Sequence, residues 1–331
     1  MKFFTEPDGL FIIKIPIDWQ YKNVAVGYKE KSPFSFELYR GKVGAFQISC
    51  YPAKGKPTNP NVKLQTPDTR NLEFTEFRMD DKEFNVHIWG ASVGDYMFLA
   101  KYIYDAAKAD HPKIKKELAK AIEALSYLEL IGEDKRELAV EFDKYDKFMA
   151  SLTASFDLKM KALESKSLVE LMIIAANQID AYLRMAIVLT KQLEDKTERI
   201  NIKLLFQGET DSPVMERKIY QQAKDRFIID QPTYDSLELL YKERNKVVHR
   251  YIITDFKTRD LYKIVYDYEV AAETVRLALK TVEDKQFKEG IGIYGTKDPS
   301  QHPNARDLEV LYSQINDKHL LKELSRKIKS R

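Results

Sequence analysis

The sequence predicts an α+β protein in two parts, an N-terminal domain built on antiparallel sheet and a C-terminal domain that is all helix. Three observations carry that prediction. Apolar residues alternate with a period of two in short stretches up to about residue 104. After Gly132-Glu133-Asp134 the period becomes helical and stays so to about residue 288. Proline and glycine gather between the patterned stretches, in 52–70 and again after Gly290. The expected organisation is 1–132, a β-rich α/β/α domain acting as a binding or accessory module; 133–290, a helical bundle; and 291–331, a linker with a basic C-terminal helix.

Composition sets the outer limits. A chain of 331 residues with 44% hydrophobic and 32% charged residues can bury a core in each half. The formal charge is only +3, and neither half is strongly basic: residues 1–132 carry 19 Lys and Arg against 17 Asp and Glu, the remainder 35 against 34. Any nucleic-acid site must therefore be a local patch. Cys50 stands alone, which excludes an intrachain disulfide and a cysteine-rich zinc site. The opening Met-Lys-Phe-Phe-Thr-Glu-Pro-Asp has too short an apolar run for a secretory signal. The greasiest helix, Ser167 to Leu193, is interrupted by Glu170, Gln178, Asp180 and Arg184, so it does not read as a membrane span. The expectation is a cytoplasmic protein with no membrane contact.

Taken in order, Leu10 to Ile17 is an apolar strand after the Asp8-Gly9 turn signal. Ala45 to Tyr51 alternates Phe46, Ile48 and Cys50 against Gln47, Ser49 and Tyr51. Phe84 to Trp89 alternates Phe84, Val86 and Ile88 against Asn85, His87 and Trp89. His87 reads as a half-exposed sheet residue, since metal partners are missing. Between these strands 52–70, with four prolines, reads as a long exposed loop. Pro112 opens a helix whose Ile114, Leu118, Ile122 and Leu125 form a stripe able to cover the sheet. The segment DGLFIIKIPIDW, with Ile15, Pro16 and Trp19, followed by antiparallel strands and a closing helix, is similar to the PsbP-like α/β/α sandwich. That resemblance implies a mostly non-catalytic binding or accessory module.

The helical part begins with Lys135 to about Lys166, as one helix or two, striped by Leu138, Phe142, Tyr145, Phe148 and Leu152. Ser167 with Glu170 has the spacing of a capping box at the head of the apolar central helix, which runs to Glu194. Further helices are expected at Val214 to Phe227, Thr233 to about Ile253, and Asp255 to about Lys288, the last turning Leu261, Ile264, Val265, Tyr268 and Ala272 inward. Consecutive amphipathic helices with short connections make a bundle. A last helix, Arg306 to Arg331, ends in Arg326, Lys327, Lys329 and Arg331, most simply a solvated basic tail, with contact to RNA or a partner as the sharper reading.

The fourth helix of that bundle ends in Glu243-Arg-Asn-Lys-Val-Val-His-Arg-Tyr251. Read as a pattern this is Arg-x4-His-x-Tyr, with Asn245 after Arg244, then His249 and Tyr251. It resembles the signature of the HEPN superfamily, and its HepT-type toxins in particular. The resemblance covers roughly Leu168 to Lys285. It implies a helical bundle that dimerises, with the signature residues of both copies facing a shared cleft. The implied activity is metal-independent RNA cleavage in a toxin or antiviral setting.

The residue types suit that chemistry. Histidine can act as base and then acid near neutrality, and arginine offers a permanently charged fork to phosphate. On a regular helix Arg244 and Tyr251 share a face, whereas His249 lies about 140° round from Arg244. One helix therefore does not pair His with Arg; a second copy across a two-fold axis could. The expected catalytic set is His249, Arg244 and Asn245, the last as a positioning hydrogen-bonder, with no metal and no cofactor. Tyr251 is expected to wall the cleft, and in HepT-like toxins this tyrosine is also where a partner nucleotidyltransferase adds nucleotide. On the central helix Asp180 either orients Arg244 or pairs with Arg184 one turn away, and Gln178 is the fallback. The expected partners are RNA, a second copy of the chain, and an antitoxin or another protein. A non-catalytic bundle that dimerises or binds RNA, nucleotide or protein, with the front domain recruiting a partner, is the competing reading.

Overall fold

The computed structural model describes residues 1–23, 31–41, 43–53, 62–67, 72–207, 211–298 and 304–327. The chain divides into two compact units, Met1–Val140 with Leu320–Lys322, and Glu141–His319 with Glu323–Arg331. It is a mixed α+β protein, sheets first and helices after.

In the first unit, β1 (Lys2–Thr5), β2 (Phe11–Ile15) and β10 (Glu129–Leu130) form a three-stranded antiparallel sheet with β2 in the middle. The turn into β2 is made by Gly9 at φ 75°, a backbone angle that favours glycine, while Glu6 accepts from the Asp8 and Leu10 amides. The larger sheet runs β3 (Trp19–Tyr21), β4 (Phe34–Leu38), β5 (Ala45–Pro52), β9 (Tyr96–Asp105), β8 (Phe84–Val93) and β6 (Leu64–Gln65), with β7 (Thr75–Asp80) also paired to β8. All its pairings are antiparallel except β6 on β8. Most of the proline-rich span expected as a loop lies outside the described residues.

The core of this unit is aromatic, with Phe11, Phe34, Phe36, Phe46 and Phe98 at most 2% exposed. Helix α1 (Pro112–Leu125) closes it, with Ile114, Ala121, Ala124 and Leu125 buried. Ile122, expected in the stripe, is 50% exposed. Glu117 takes the inward position instead, where its carboxylate accepts from Trp19 Nε1 at 2.6 Å and pairs with Lys120 at 2.8 Å. A buried carboxylate held by two donors can sit in a core stripe that a purely apolar template misses.

Strand β5 buries Phe46 and Ile48 as expected. In β8 the covered face carries Asn85, His87 and Trp89, while Phe84 is 47% exposed. The strand continues through Ala91 and Val93, and these with Trp89 outweigh the two polar residues on their face. His87 is thus buried, not half-exposed. Glu76 at 2.7 Å and the Tyr104 hydroxyl at 3.4 Å engage its two ring nitrogens, and the rings of Trp89 and Tyr104 stack beside it.

The second unit is a bundle. Helix α2 (Arg136–Glu164) is a single helix. It turns through Lys166 at φ 55° into α3 (Leu168–Asp195). Ser167 makes no side-chain cap there, so the expected capping box does not form. Ser167 is instead drawn into the turn, its amide bonded to Ala162 O at 2.9 Å. A short α4 (Ile202–Leu205), then α5 (Glu216–Asp225), α6 (Gln231–Arg250) and α7 (Thr258–Glu289) follow. Among the described residues α3 alone is long and apolar enough to cross a membrane, but 67% of its apolar window is buried. It is the spine of the bundle, packed along α7, whose Leu261, Ile264, Val265, Tyr268 and Ala272 are all buried as expected. Cross-links set the directions. Gln286 bonds Leu189 O and Gln192, so α7 runs parallel to α3, while Tyr268 bonds Leu240 O from the antiparallel α6.

The last helix, α8 (Ala305–His319), is shorter than expected. The chain reverses at Leu320, φ 48°, and hooks back. Asn316 pairs with the backbone of Arg326 at 2.9 and 2.7 Å, and Asp157 of α2 takes both His319 at 3.2 Å and Arg326 at 2.8 Å. Arg326 is therefore an anchor, not part of a solvated tail; Lys329 and Arg331 lie outside the described residues.

Candidate active site

Asp230 starts α6 by accepting from the Thr233 amide at 2.9 Å, with Pro232 in the first turn where its missing N–H costs nothing. The helix runs antiparallel to α5 and is tied to its first turn by two ion pairs, Arg217 on Glu238 and Arg244 on Glu216. Arg244 Nη1 donates to both oxygens of Glu216, at 3.0 and 2.7 Å. Its Nη2 reaches Asn245 Oδ1 at 3.4 Å, and its Cζ lies 4.9 Å from the Tyr241 ring centre. Glu216 also accepts the Tyr220 hydroxyl, so one carboxylate holds a cation and a phenol together.

Arg244 and Glu216 are each about a sixth exposed, 16% and 17%. Burial works against the Arg244 charge, but the Glu216 carboxylate outweighs it and raises the guanidinium above its ordinary range. Burial, reinforced by Glu216, likewise pushes the Tyr220 hydroxyl upward, so it stays protonated and donates. Breaking such a pair by removing one partner costs about 3–5 kcal/mol when both are fully buried.

The residue that orients Arg244 is therefore Glu216, not Asp180. Asp180 accepts from Arg184 Nε at 2.6 Å, and the rest of that guanidinium donates to Leu204 O at 3.1 Å and Val214 O at 3.0 Å. Arg184 thus stitches α4 and the segment that follows it to the spine. Burial raises the Asp180 carboxyl, with Arg184 pulling it back, and its Oδ1 is buried without a hydrogen bond. Gln178 is 1% exposed and donates to Ser155 Oγ at 2.9 Å, joining α3 to α2 away from Arg244.

His249 lies on the solvent side in the last turn of α6 and is exposed. Among the described residues no hydrogen bond or ion pair engages its ring. Tyr251 is not on the helix at all. α6 ends at Arg250, a 3-10 turn covers Tyr251–Ile253, and the Tyr251 hydroxyl meets Thr258 Oγ1 at 2.6 Å with its ring against Phe256. The expected shared face of Arg244 and Tyr251 is broken by that change of helix type. Of the six candidate residues, only Arg244 and Asn245 are joined by a hydrogen bond among the described residues. Glu216 and Tyr220, which sequence reasoning missed, complete their cluster. The available signal was their four-residue spacing on one face of a helix that pairs antiparallel with α6. No group of three or more His, Cys, Asp or Glu among the described residues could hold a metal ion.

No family model matches the chain, and no curated protein matches it. A crystal structure from Bacteroides thetaiotaomicron is 16% identical, covers 74% of this chain and 79% of its own, and superposes with a TM-score of 0.29, a similarity from which neither fold nor function is taken.

Proposed function

We propose that the chain is a metal-independent endoribonuclease of the toxin or antiviral defence kind, its bundle HEPN-like and its front unit PsbP-like. It works in the cytoplasm as a homodimer, with RNA as substrate and an antitoxin or other protein as regulator. One observation carries the reading: His249 is exposed with both ring nitrogens unengaged among the described residues, five residues from an arginine held in place by a carboxylate. His249 takes the proton from the ribose 2′-hydroxyl as O2′ bonds to phosphorus. It then returns a proton to O5′ as the P–O5′ bond breaks, leaving a 2′,3′-cyclic phosphate and a 5′-hydroxyl. Arg244 steadies the phosphate charge from the second copy, since the two side chains of one helix diverge. On either side of His249 the chain exposes Val248, Ile252 and Ile253, at 48%, 94% and 78%, an apolar tip that a second copy would cover.

The test is incubation of the full chain with RNA in EDTA, reading cyclic-phosphate ends. Cleavage should persist in EDTA and fall at least about 10²-fold in His249→Ala; loss with EDTA, or an undiminished rate in that variant, sinks the proposal. A second reading has its own observation. Arg244 is already satisfied by Glu216, which suits a purely structural cation in a non-catalytic binding or dimerisation module whose front unit recruits protein. RNA binding or self-association without cleavage would favour it.

A further inference from the structure

We infer that the outward face of α6 is a phosphate track for single-stranded RNA, with Lys242 and Lys246 holding the phosphates beside the one presented to His249. The inference rests on the ribonuclease reading and identifies its substrate-binding surface. The geometry of one helix decides which cations can serve His249 in the same chain. At about 100° per residue, Lys242 lies about 20° from His249 in azimuth, Lys246 about 60°, Arg250 about 100° and Arg244 about 140°. The cation named by the signature is thus the one turned furthest from the histidine, and Glu216 fixes it there.

Lys242, Lys246, His249 and Arg250 are all exposed. Lys242 and Arg250 form no hydrogen bond or ion pair through their side chains among the described residues. Lys246 pairs with Glu243 at 2.6 Å, but with 56% of its side chain in solvent that pair is weak. Glu238, the other acid nearby, is already neutralised by Arg217. The stripe is therefore locally cationic on a protein whose formal charge is only +3, the kind of patch a polyanion requires. Lys242 and Lys246 stand one turn apart, a rise of about 6 Å, which suits successive phosphates of an extended strand. Side chains of this kind position a nucleic acid without reading its sequence.

The experiment uses the full chain carrying His249→Ala, so that RNA is bound and not consumed. Binding of a labelled oligouridylate is followed by anisotropy over a range of salt concentrations. Each lost phosphate contact lowers the slope of log K against log salt by about 0.7 for a single strand. Adding Lys242→Gln and Lys246→Gln should flatten the slope by about 1.4 and weaken oligouridylate and oligoadenylate alike. Lys115→Gln with Lys116→Gln, the same charge change on α1, should leave the slope as it was. An unchanged slope in the α6 variant, an equal change in the α1 control, or a lower melting temperature with no change in slope (the lysines then serving only the helix end) would overturn the inference. So would loss of binding to phosphatidylserine vesicles in place of RNA. Failure of the nuclease reading looks different: His249-intact protein binds through the lysines yet never cleaves.

Discussion

His87 and His249 sit in different units and show two ways a histidine can be spent. The imidazole of His87 is 8% exposed, with Glu76 on Nδ1, Tyr104 on Nε2 and an aromatic ring on each side. Every capacity the side chain has is used in holding three strands together. His249 is exposed at a helix end, with both nitrogens open among the described residues. A ring whose donor and acceptor are both engaged acts as packing; one with both open can exchange protons with whatever arrives. The same contrast separates the two arginines of the bundle. Arg184 gives its guanidinium to Asp180 and two carbonyls, whereas Arg244 gives one end to Glu216 and keeps most of the other.

Substituting each histidine in turn breaks or keeps the contrast. His249→Ala should lower RNA cleavage by about 10²–10⁴-fold, the range of a lost general acid–base. Its stability should shift by less than about 0.5 kcal/mol, as for an ordinary surface change. His87→Ala should do the reverse. A denaturant midpoint should report a loss of about 1–3 kcal/mol from the vacated, hydrogen-bonded site, with cleavage per folded molecule unchanged. A His87→Ala protein that is stable but inactive would invert the comparison and move the chemistry to the sheet.

A second, smaller effect comes from a carboxylate that the bundle keeps in an unfavourable place. Burial pushes Asp146 of α2 up to about 6, with Asp143 adding to the rise and Lys297 opposing it. Because the folded value lies above the ordinary 3.8, the native state holds the proton more tightly than the unfolded chain between those limits. Stability therefore falls as pH rises from about 4 to about 6, by at most about 3 kcal/mol from this group. Asp146→Asn should remove that part of the slope, so that urea midpoints at low and neutral pH draw together. A wild-type midpoint that climbs across the same window, with Asp146→Asn no different, would show the carboxyl to be well solvated.

What the sequence disclosed was what repeats locally. The inner face of α7 and the buried Phe46 and Ile48 of β5 follow from periodicity, although β5 also buries Ser49 on its other face. The turn at Gly9 is equally local, whereas the Asp230 cap, which starts α6 two residues before the expected Thr233, was not anticipated. The covered side of β8 was not legible, since it carries polar Asn85 and His87, and His87 is held by side chains of the neighbouring strands, Glu76 and Tyr104, which the pattern of β8 itself does not reveal. The end of α8 escaped for the same reason: Asp157, more than 160 residues away, captures His319 and Arg326 and bends the basic segment back. At the candidate site the signature named Arg244 and His249, but not the carboxylate between α5 and α6 that sets where the arginine points.

That carboxylate gives the finest test of the contrast between engaged and open groups. Glu216→Gln keeps the shape and leaves an amide oxygen for Arg244 or Tyr220, but removes the charge. The pair is a sixth exposed, so the loss should fall below the 3–5 kcal/mol of a fully buried pair, at about 2 kcal/mol. If Arg244 is only a structural cation, Arg244→Gln on this background adds little further loss, because the two substitutions remove one shared interaction. Cleavage would then track the folded fraction in every variant. If Arg244 clamps phosphate, Glu216→Gln loosens the guanidinium, and the Arg244→Gln defect in cleavage persists whichever residue stands at 216. Stability then couples the two positions while activity separates them, a division that a merely structural ion pair cannot produce.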